Sequence, residues 1–362
     1  MDLAPPAHPV PPENGDSDPS PPARTVPAAA GEPSPPDPGS RDELTSADTP
    51  GRTRPRFEEL PPGQPSWPGW VLAVLGFVVA LGGLVEVALV TGEQLGASVA
   101  LGAWITIAGL AASAAGLGWV ALASIIRRRS LPPDRYRGPS IFVLLAIVIV
   151  LGNLGVPVIF LAGGDLSHLS GPGVAALLIL LTPASFLIAV VAFSLAPRAL
   201  EGVRLADGAA SGRRLAFGLL IGLAAAFVAD LLLIGVSILI KALTGSEPSS
   251  EQAVVGLARD LPPVVAVLAL VVAAPLAEEL FFRVTVLNAW EREYGTTRAV
   301  IGSSLLFSLI HLLGGSWLTL VPILPLGFLL GIIYARWRSL PLNFGVHAGF
   351  NLLATIALLA NR

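Results

Sequence analysis

From Trp67 to Ala360 the chain is a train of long apolar runs separated by short polar breaks. A run of ~20 apolar residues, rising ~1.5 Å each, crosses the hydrocarbon core of a bilayer. No water is available there to bond backbone groups, so each run must satisfy its own and fold as a helix. The pattern predicts eight or nine spans, at about 69–91, 98–126, 140–162, 173–196, 214–243, 262–288, 298–313, 317–335 and 341–360. The seventh is short, with Gly314-Gly315 as a natural turn after it, and the seventh and eighth are alternatively broken or tilted helices. Pro157, Pro183, Pro275, Pro322 and Pro325 fall inside spans and predict kinks, because each removes a backbone donor. The expected fold is therefore all-α, a polytopic transmembrane helix bundle. A composition of 53% hydrophobic and 13% charged residues agrees with this.

Residues 1–66 differ in kind. More than half of the 33 prolines fall at or before Pro68, among Ser, Gly, Asp and Ala. Such a stretch buries too little apolar surface to offset its ordering entropy, so a disordered tail without a signal peptide is expected. Its Glu58-Glu59 pair reads as solvated. Residues 67–243 form a first group of spans and residues 262–360 a second. The absence of cysteine excludes disulfides, thiolate metal sites and cysteine nucleophiles. The net charge of −3 gives no reason to expect nucleic acid as a partner. Arginines cluster in alternate breaks: Arg127, Arg128, Arg129, Arg135 and Arg137; Arg198, Arg204, Arg213 and Arg214; Arg292 and Arg298; Arg336 and Arg338. Basic loops stay on the cytoplasmic side, which predicts a cytoplasmic N-terminus and favours nine spans. The single lysine, Lys241, against many arginines suggests a bacterial genome.

Within the second group, three patterns put polar residues where they are expensive. A charge at the bilayer centre costs roughly 2.5–3.5 kcal/mol on insertion scales. Glu278-Glu279-Leu-Phe-Phe-Arg283 places Glu279 and Arg283 four apart on one face, able to neutralise each other. Glu278, turned by ~100°, is left to face something else. Phe307-Ser-Leu-Ile-His311 puts a histidine on an apolar helix, where by itself it is more often a hydrogen-bonded core residue than a ligand. His347-Ala-Gly-Phe-Asn351 pairs an imidazole with an amide on one face, fit for an oxyanion or for an interhelical hydrogen bond. At ~1.5 Å per residue, Glu278, His311, His347 and Asn351 all lie ~9–20 Å from the basic ends of their helices. They can therefore meet in one half of the membrane. Asp230 lies deep in the fifth span, where it can hydrogen-bond within the bundle, the plainer reading, or line a water path. Glu86 and Lys241 sit near the outer ends of theirs and can snorkel.

In these motifs residues 262–360 resemble the CAAX protease and bacteriocin-processing family of intramembrane endopeptidases, which includes type II CAAX prenyl endopeptidases. Glu278, Glu279 and Arg283 match its Glu-Glu-x-x-x-Arg motif, Phe307 and His311 its Phe-x-x-x-His motif, and His347 and Asn351 its His-x-x-x-Asn/Asp motif. Phe328-Leu-Leu-Gly331 matches the glycine-bearing stretch between them. Val284 departs from the pattern, since many members carry glycine there. The resemblance implies hydrolysis of a peptide bond in a membrane-associated protein or peptide. Glu278 would be the general base, His311 would position the water, His347 and Asn351 would stabilise the oxyanion, and Glu279–Arg283 would hold the helix. A second version keeps these residues and adds Zn²⁺, with His311, His347 and Glu278 as ligands. The location implied is an integral, multi-pass protein of a bacterial cell membrane. Two other classes stay open: a non-catalytic scaffold or immunity protein of the same fold, and a proton-coupled transporter, which predicts an internal repeat that is not visible.

Overall fold

In the computed structural model the residues described are 66–89, 95–129, 138–155, 172–196, 199–200, 208–246, 253–314 and 316–361. All belong to one compact unit, Leu60–Arg362. The tail expected at 1–66 lies outside them apart from Ser66, as do His168, Pro157 and the loop arginines Arg135, Arg137, Arg198 and Arg204.

Every regular element among the described residues is helical. Helix α1 is Trp67–Leu89, α2 Leu95–Arg129, α3 Ile141–Asn153, α4 Pro172–Ser194 and α5 Ser211–Thr244. A short α6, Ala253–Arg259, precedes α7, Pro263–Tyr294, which is continuous but contains two π-helical segments. Helix α8 is Thr296–Ile310, α9 Leu320–Trp337 and α10 Leu340–Ala360. Six described helices are long and apolar enough to cross a membrane. Three shorter apolar stretches, Trp67–Gly83, Ile141–Asn153 and Thr296–Ile310, lie at the positions of the remaining predicted spans. This is an integral, multi-pass membrane protein. The expected kink at Pro275 takes the form of a register change, with π-helical Leu268–Ala273 directly before Ala274–Glu279. Helix α7 runs on to Tyr294, past the end expected near 288, and Asn288 is buried with its amide donating to the Tyr334 hydroxyl (3.1 Å).

Two glycine interfaces organise the bundle. Gly69 and Gly76 of α1 lie against Gly116 and Gly109 of α2, where an added Cβ would strike the facing backbone. The Ser113 hydroxyl closes the gap by donating to the Ala73 carbonyl (2.7 Å). Gly218 and Gly222 of α5 likewise meet Gly345 and Gly349 of α10 at backbone distance. Apolar attraction is weak in lipid, so close backbone packing of this kind is a main source of helix association. Beyond that seam α5 is largely bare, with Phe217, Leu220, Phe227, Leu231 and Ile238 exposed. Asp230 is on this exposed side and has no bonding partner among the described residues, so the expected hydrogen bond within the bundle does not form. Lys241 is exposed in the last turn of α5.

The core lies where α4, α7, α8, α9 and α10 meet. Phe186, Phe193, Phe281, Phe282, Phe307, Leu330 and Val346 are buried there. Val284, at the position noted for glycine, is buried with Leu287, Ala299, Tyr334 and Leu340. The α9–α10 corner is made by Arg338 in the left-handed region (φ 50°), uncommon for a residue with a Cβ. Its guanidinium donates to Asn288 Oδ1 (2.8 Å) and pairs with Glu291, tying the corner to α7. That tie fixes where α10 begins, and therefore where His347 stands.

Candidate active site

Glu278 and Glu279 end the α-helical segment Ala274–Glu279, which lies between π-helical Leu268–Ala273 and Leu280–Leu287. Single π turns inside α-helices recur at functional sites because they re-aim side chains.

Glu279 is fully buried. Its Oε2 lies 3.4 Å from Arg283 Nε and accepts from Asn343 Nδ2 (2.8 Å), and its Oε1 lies 2.9 Å from His347 Nδ1. Arg283 is also fully buried, with its guanidinium over the rings of Phe307 (4.8 Å) and Phe282 (5.9 Å). A buried ion pair is less costly when its members keep further favourable contacts. Here Asn343 and His347 bond Glu279, whereas the Arg283 guanidinium has no hydrogen-bond acceptor among the described residues and rests on the Glu279 carboxylate and the aromatic faces.

Glu278 faces the other way, as its position beside Glu279 predicts. Its Oε2 is buried without a hydrogen-bond partner. It lies 3.7 Å from His347 Nε2 and 3.9 Å from His311 Nε2. His311 Nδ1 lies 2.7 Å from the Phe307 carbonyl, which can only accept, so Nδ1 carries a proton and, in the neutral ring, Nε2 has the lone pair. The carboxylate at His347 Nδ1 fixes the same tautomer there. In the neutral rings the Nε2 atoms that carry the lone pairs are therefore the ones that approach the Glu278 carboxylate oxygen. Phe307 packs against both imidazoles, its ring centroid 4.8 Å from His311 and 5.6 Å from His347. The Glu278 and His311 side chains are 12% and 17% exposed, against 3% for His347, so the opening lies on the Glu278–His311 side.

Asn351 takes no part in this arrangement. Its Nδ2 donates to the Leu270 carbonyl (2.9 Å), one turn of α10 beyond His347. Asn343 was missed in the sequence reading although its signal is present: it precedes His347 by four residues in an apolar helix, as Asn351 follows it by four. A cavity of about 380 Å³ at the arginine-rich end, lined by Trp70, Arg127, Trp290 and Tyr294 among others, includes none of these residues.

The donor chemistry suits zinc: both Nδ1 groups are tied to oxygen acceptors, the usual outer-shell arrangement for histidine ligands. A tetrahedral ion with bonds of 2.0–2.1 Å needs ligand atoms roughly 3.3–3.4 Å apart; the Glu278 Oε2 edges to His347 Nε2 and His311 Nε2 are wider, at 3.7 and 3.9 Å. Among the described residues no group of three His, Cys, Asp or Glu is set to hold a metal ion.

Fold and site together define a multi-pass membrane protein with a buried carboxylate–imidazole centre formed by α7, the end of α8 and α10. Residues 260–353 match the family model described as type II CAAX prenyl endopeptidase Rce1-like. That match contains Glu278, Glu279, Arg283, His311, His347 and Asn351, and it supports a CAAX protease-like enzyme. No curated protein gives a significant match, and no solved structure does.

Proposed function

We propose that the chain is an intramembrane endopeptidase in which Glu278 activates a water molecule for attack on a peptide carbonyl. The observation that carries this reading is the Glu278 Oε2, buried without a hydrogen-bond partner and facing the Nε2 atoms of His311 and His347. A water there donates one proton to Glu278 and the other to an imidazole lone pair, leaving its own lone pair for the carbonyl carbon. Glu278 takes the first proton as the C–O bond forms. It then delivers that proton to the amide nitrogen as the C–N bond breaks, giving an amine and a carboxylic acid, which then passes its remaining proton to the amine. Glu279 and Arg283 do not touch the reacting atoms. Glu279 holds His347 in the required tautomer, and Arg283 balances its charge. These steps are carried by the side chains alone and need no metal ion.

The matched family's name points to peptides bearing a prenylated cysteine near the C-terminus as the first substrates to try. The arginine-rich end of the bundle is read as cytoplasmic. That places the centre within reach of a lipid-anchored peptide on that side.

The decisive variant is Glu278→Gln, which keeps shape and removes the base. In proteoliposomes with an internally quenched farnesylated peptide ending in Cys-aliphatic-aliphatic-X, cleavage should fall by roughly 10²–10⁴-fold with helical content unchanged. A folded Glu278→Gln variant of wild-type activity would falsify the assignment. Metal analysis of the active wild type tests the zinc-free reading, and near-stoichiometric zinc lost in His311→Ala/His347→Ala would replace it.

A further inference from the structure

Helix α7 contains a carbonyl that its own backbone cannot satisfy. In the segment Leu268–Ala273 hydrogen bonds run in the i→i+5 register, and at its end the Ala274 N–H donates to the Ala269 carbonyl. The next bond of that register would run from residue 275 to the Leu270 carbonyl. Residue 275 is proline, which has no N–H. The Leu270 carbonyl is therefore orphaned within the apolar part of the bundle, where an unsatisfied backbone group is costly. The donor that reaches it is the Asn351 side chain of α10, at 2.9 Å.

We propose that Asn351 is a positioning residue that supplies the hydrogen bond Pro275 cannot make, and so holds α7 in the register that aims Glu278 at His311 and His347. The inference rests on the reading of Glu278 as the base. An i→i+5 register carries about one more residue per turn than an α-helix, worth ~100° of rotation. If α7 relaxed to the α register between Leu268 and Ala273, the segment bearing Glu278 and Glu279 would turn relative to the helix before it. Asn351 opposes that turn from a fixed place. It is four residues from His347 on one face of α10, and Asn343 is four residues before His347 on the same face. Those three side chains grip α7 at Glu279 through Asn343, at Glu279 and Glu278 through His347, and at Leu270 through Asn351. The length of α10 that presents the imidazole thus also sets the phase of the helix that presents the carboxylate.

The test is a double-variant cycle on the full chain in proteoliposomes: wild type, Asn351→Ala, Pro275→Ala and the two combined. Each is assayed for kcat and KM on the same farnesylated peptide and for its thermal midpoint. Asn351→Ala should lower kcat roughly 10–100-fold with little change in KM, and Pro275→Ala alone should stay close to wild type. The combined variant should regain most of the lost kcat, because replacing the proline restores a backbone N–H that reaches the Leu270 carbonyl. Thermal midpoints should show the same non-additivity. A combined variant as slow as Asn351→Ala overturns the proposal and returns Asn351 to the oxyanion. A lower thermal midpoint with unchanged kcat per folded molecule also overturns it, since Asn351 would then only stabilise. Failure of the parent reading is separately visible: Glu278→Gln would keep its activity, while the thermal cycle would still report whether Asn351 compensates for Pro275.

Discussion

Helix α10 is gripped on two sides by different chemistry. One side carries Gly345 and Gly349 and receives α5; the other carries Asn343, His347 and Asn351 and receives α7. Helices α5 and α7 are both long and apolar, with mean hydropathies of 2.6 and 2.2, yet only 11% of the α5 window is buried against 39% for α7. The glycine side brings backbones together and tolerates a helix that is otherwise bare. The polar side determines which residues face each other, since a carboxylate shared between an imidazole and an amide has one acceptable rotation. Close packing supplies cohesion here, and hydrogen bonding supplies register.

Three substitutions would break that comparison, in decreasing order of expected effect. Arg283→Ala strikes the polar side hardest, because it leaves the fully buried Glu279 without its cation. Breaking a buried pair in this way costs about 3–5 kcal/mol, so the variant should unfold at much lower denaturant in detergent and show no cleavage. A stability close to that of wild type would mean that Glu279 does not depend on Arg283. Gly222→Leu strikes the glycine side, where an added Cβ would meet the Val346 carbonyl. Overpacking costs typically ~1–3 kcal/mol, and thermal stability should drop. Any catalytic centre that survives should keep its KM, because α5 packs on the glycine side of α10, away from the side that carries His347. Asn343→Ala removes two interhelical hydrogen bonds, to Glu279 and to the Leu330 carbonyl, each worth about 0.6 kcal/mol in membrane bundles. Its effect should fall more on kcat than on stability, by loosening Glu279 and with it His347. If its stability loss exceeded that of Gly222→Leu, the division between cohesion and register would be wrong. Leu220→Ala, on the exposed side of α5, serves as the control and should change neither quantity.

Much of the site was legible because each motif is confined to one helix. The four-residue spacing of Glu279 and Arg283 forecast their ion pair, and the one-residue offset of Glu278 forecast its separate direction. Asn343 was legible too, by its spacing from His347, and was overlooked. The partner of Asn351 was not legible. It depends on Pro275 lying where a π register needs an N–H, and nothing in apolar periodicity separates a π turn from an α turn. Asp230 was misjudged for a related reason: periodicity finds a span, but an all-round apolar helix does not reveal which side its neighbours cover.

By itself the sequence determined that the chain crosses a membrane as a set of helices, and which charged residues must be kept inside it. Run length, helix rise and the cost of unpaired charge act locally, and they are properties of the chain alone. Tertiary structure decided how the helices are rotated: the α register between two π segments, the Arg338 corner that starts α10, and the two faces of α10. Rotation is set by which side chains meet across an interface. A carboxylate four residues from an arginine is settled on one helix, but a carbonyl orphaned by a proline is satisfied only by whatever another helix brings to it.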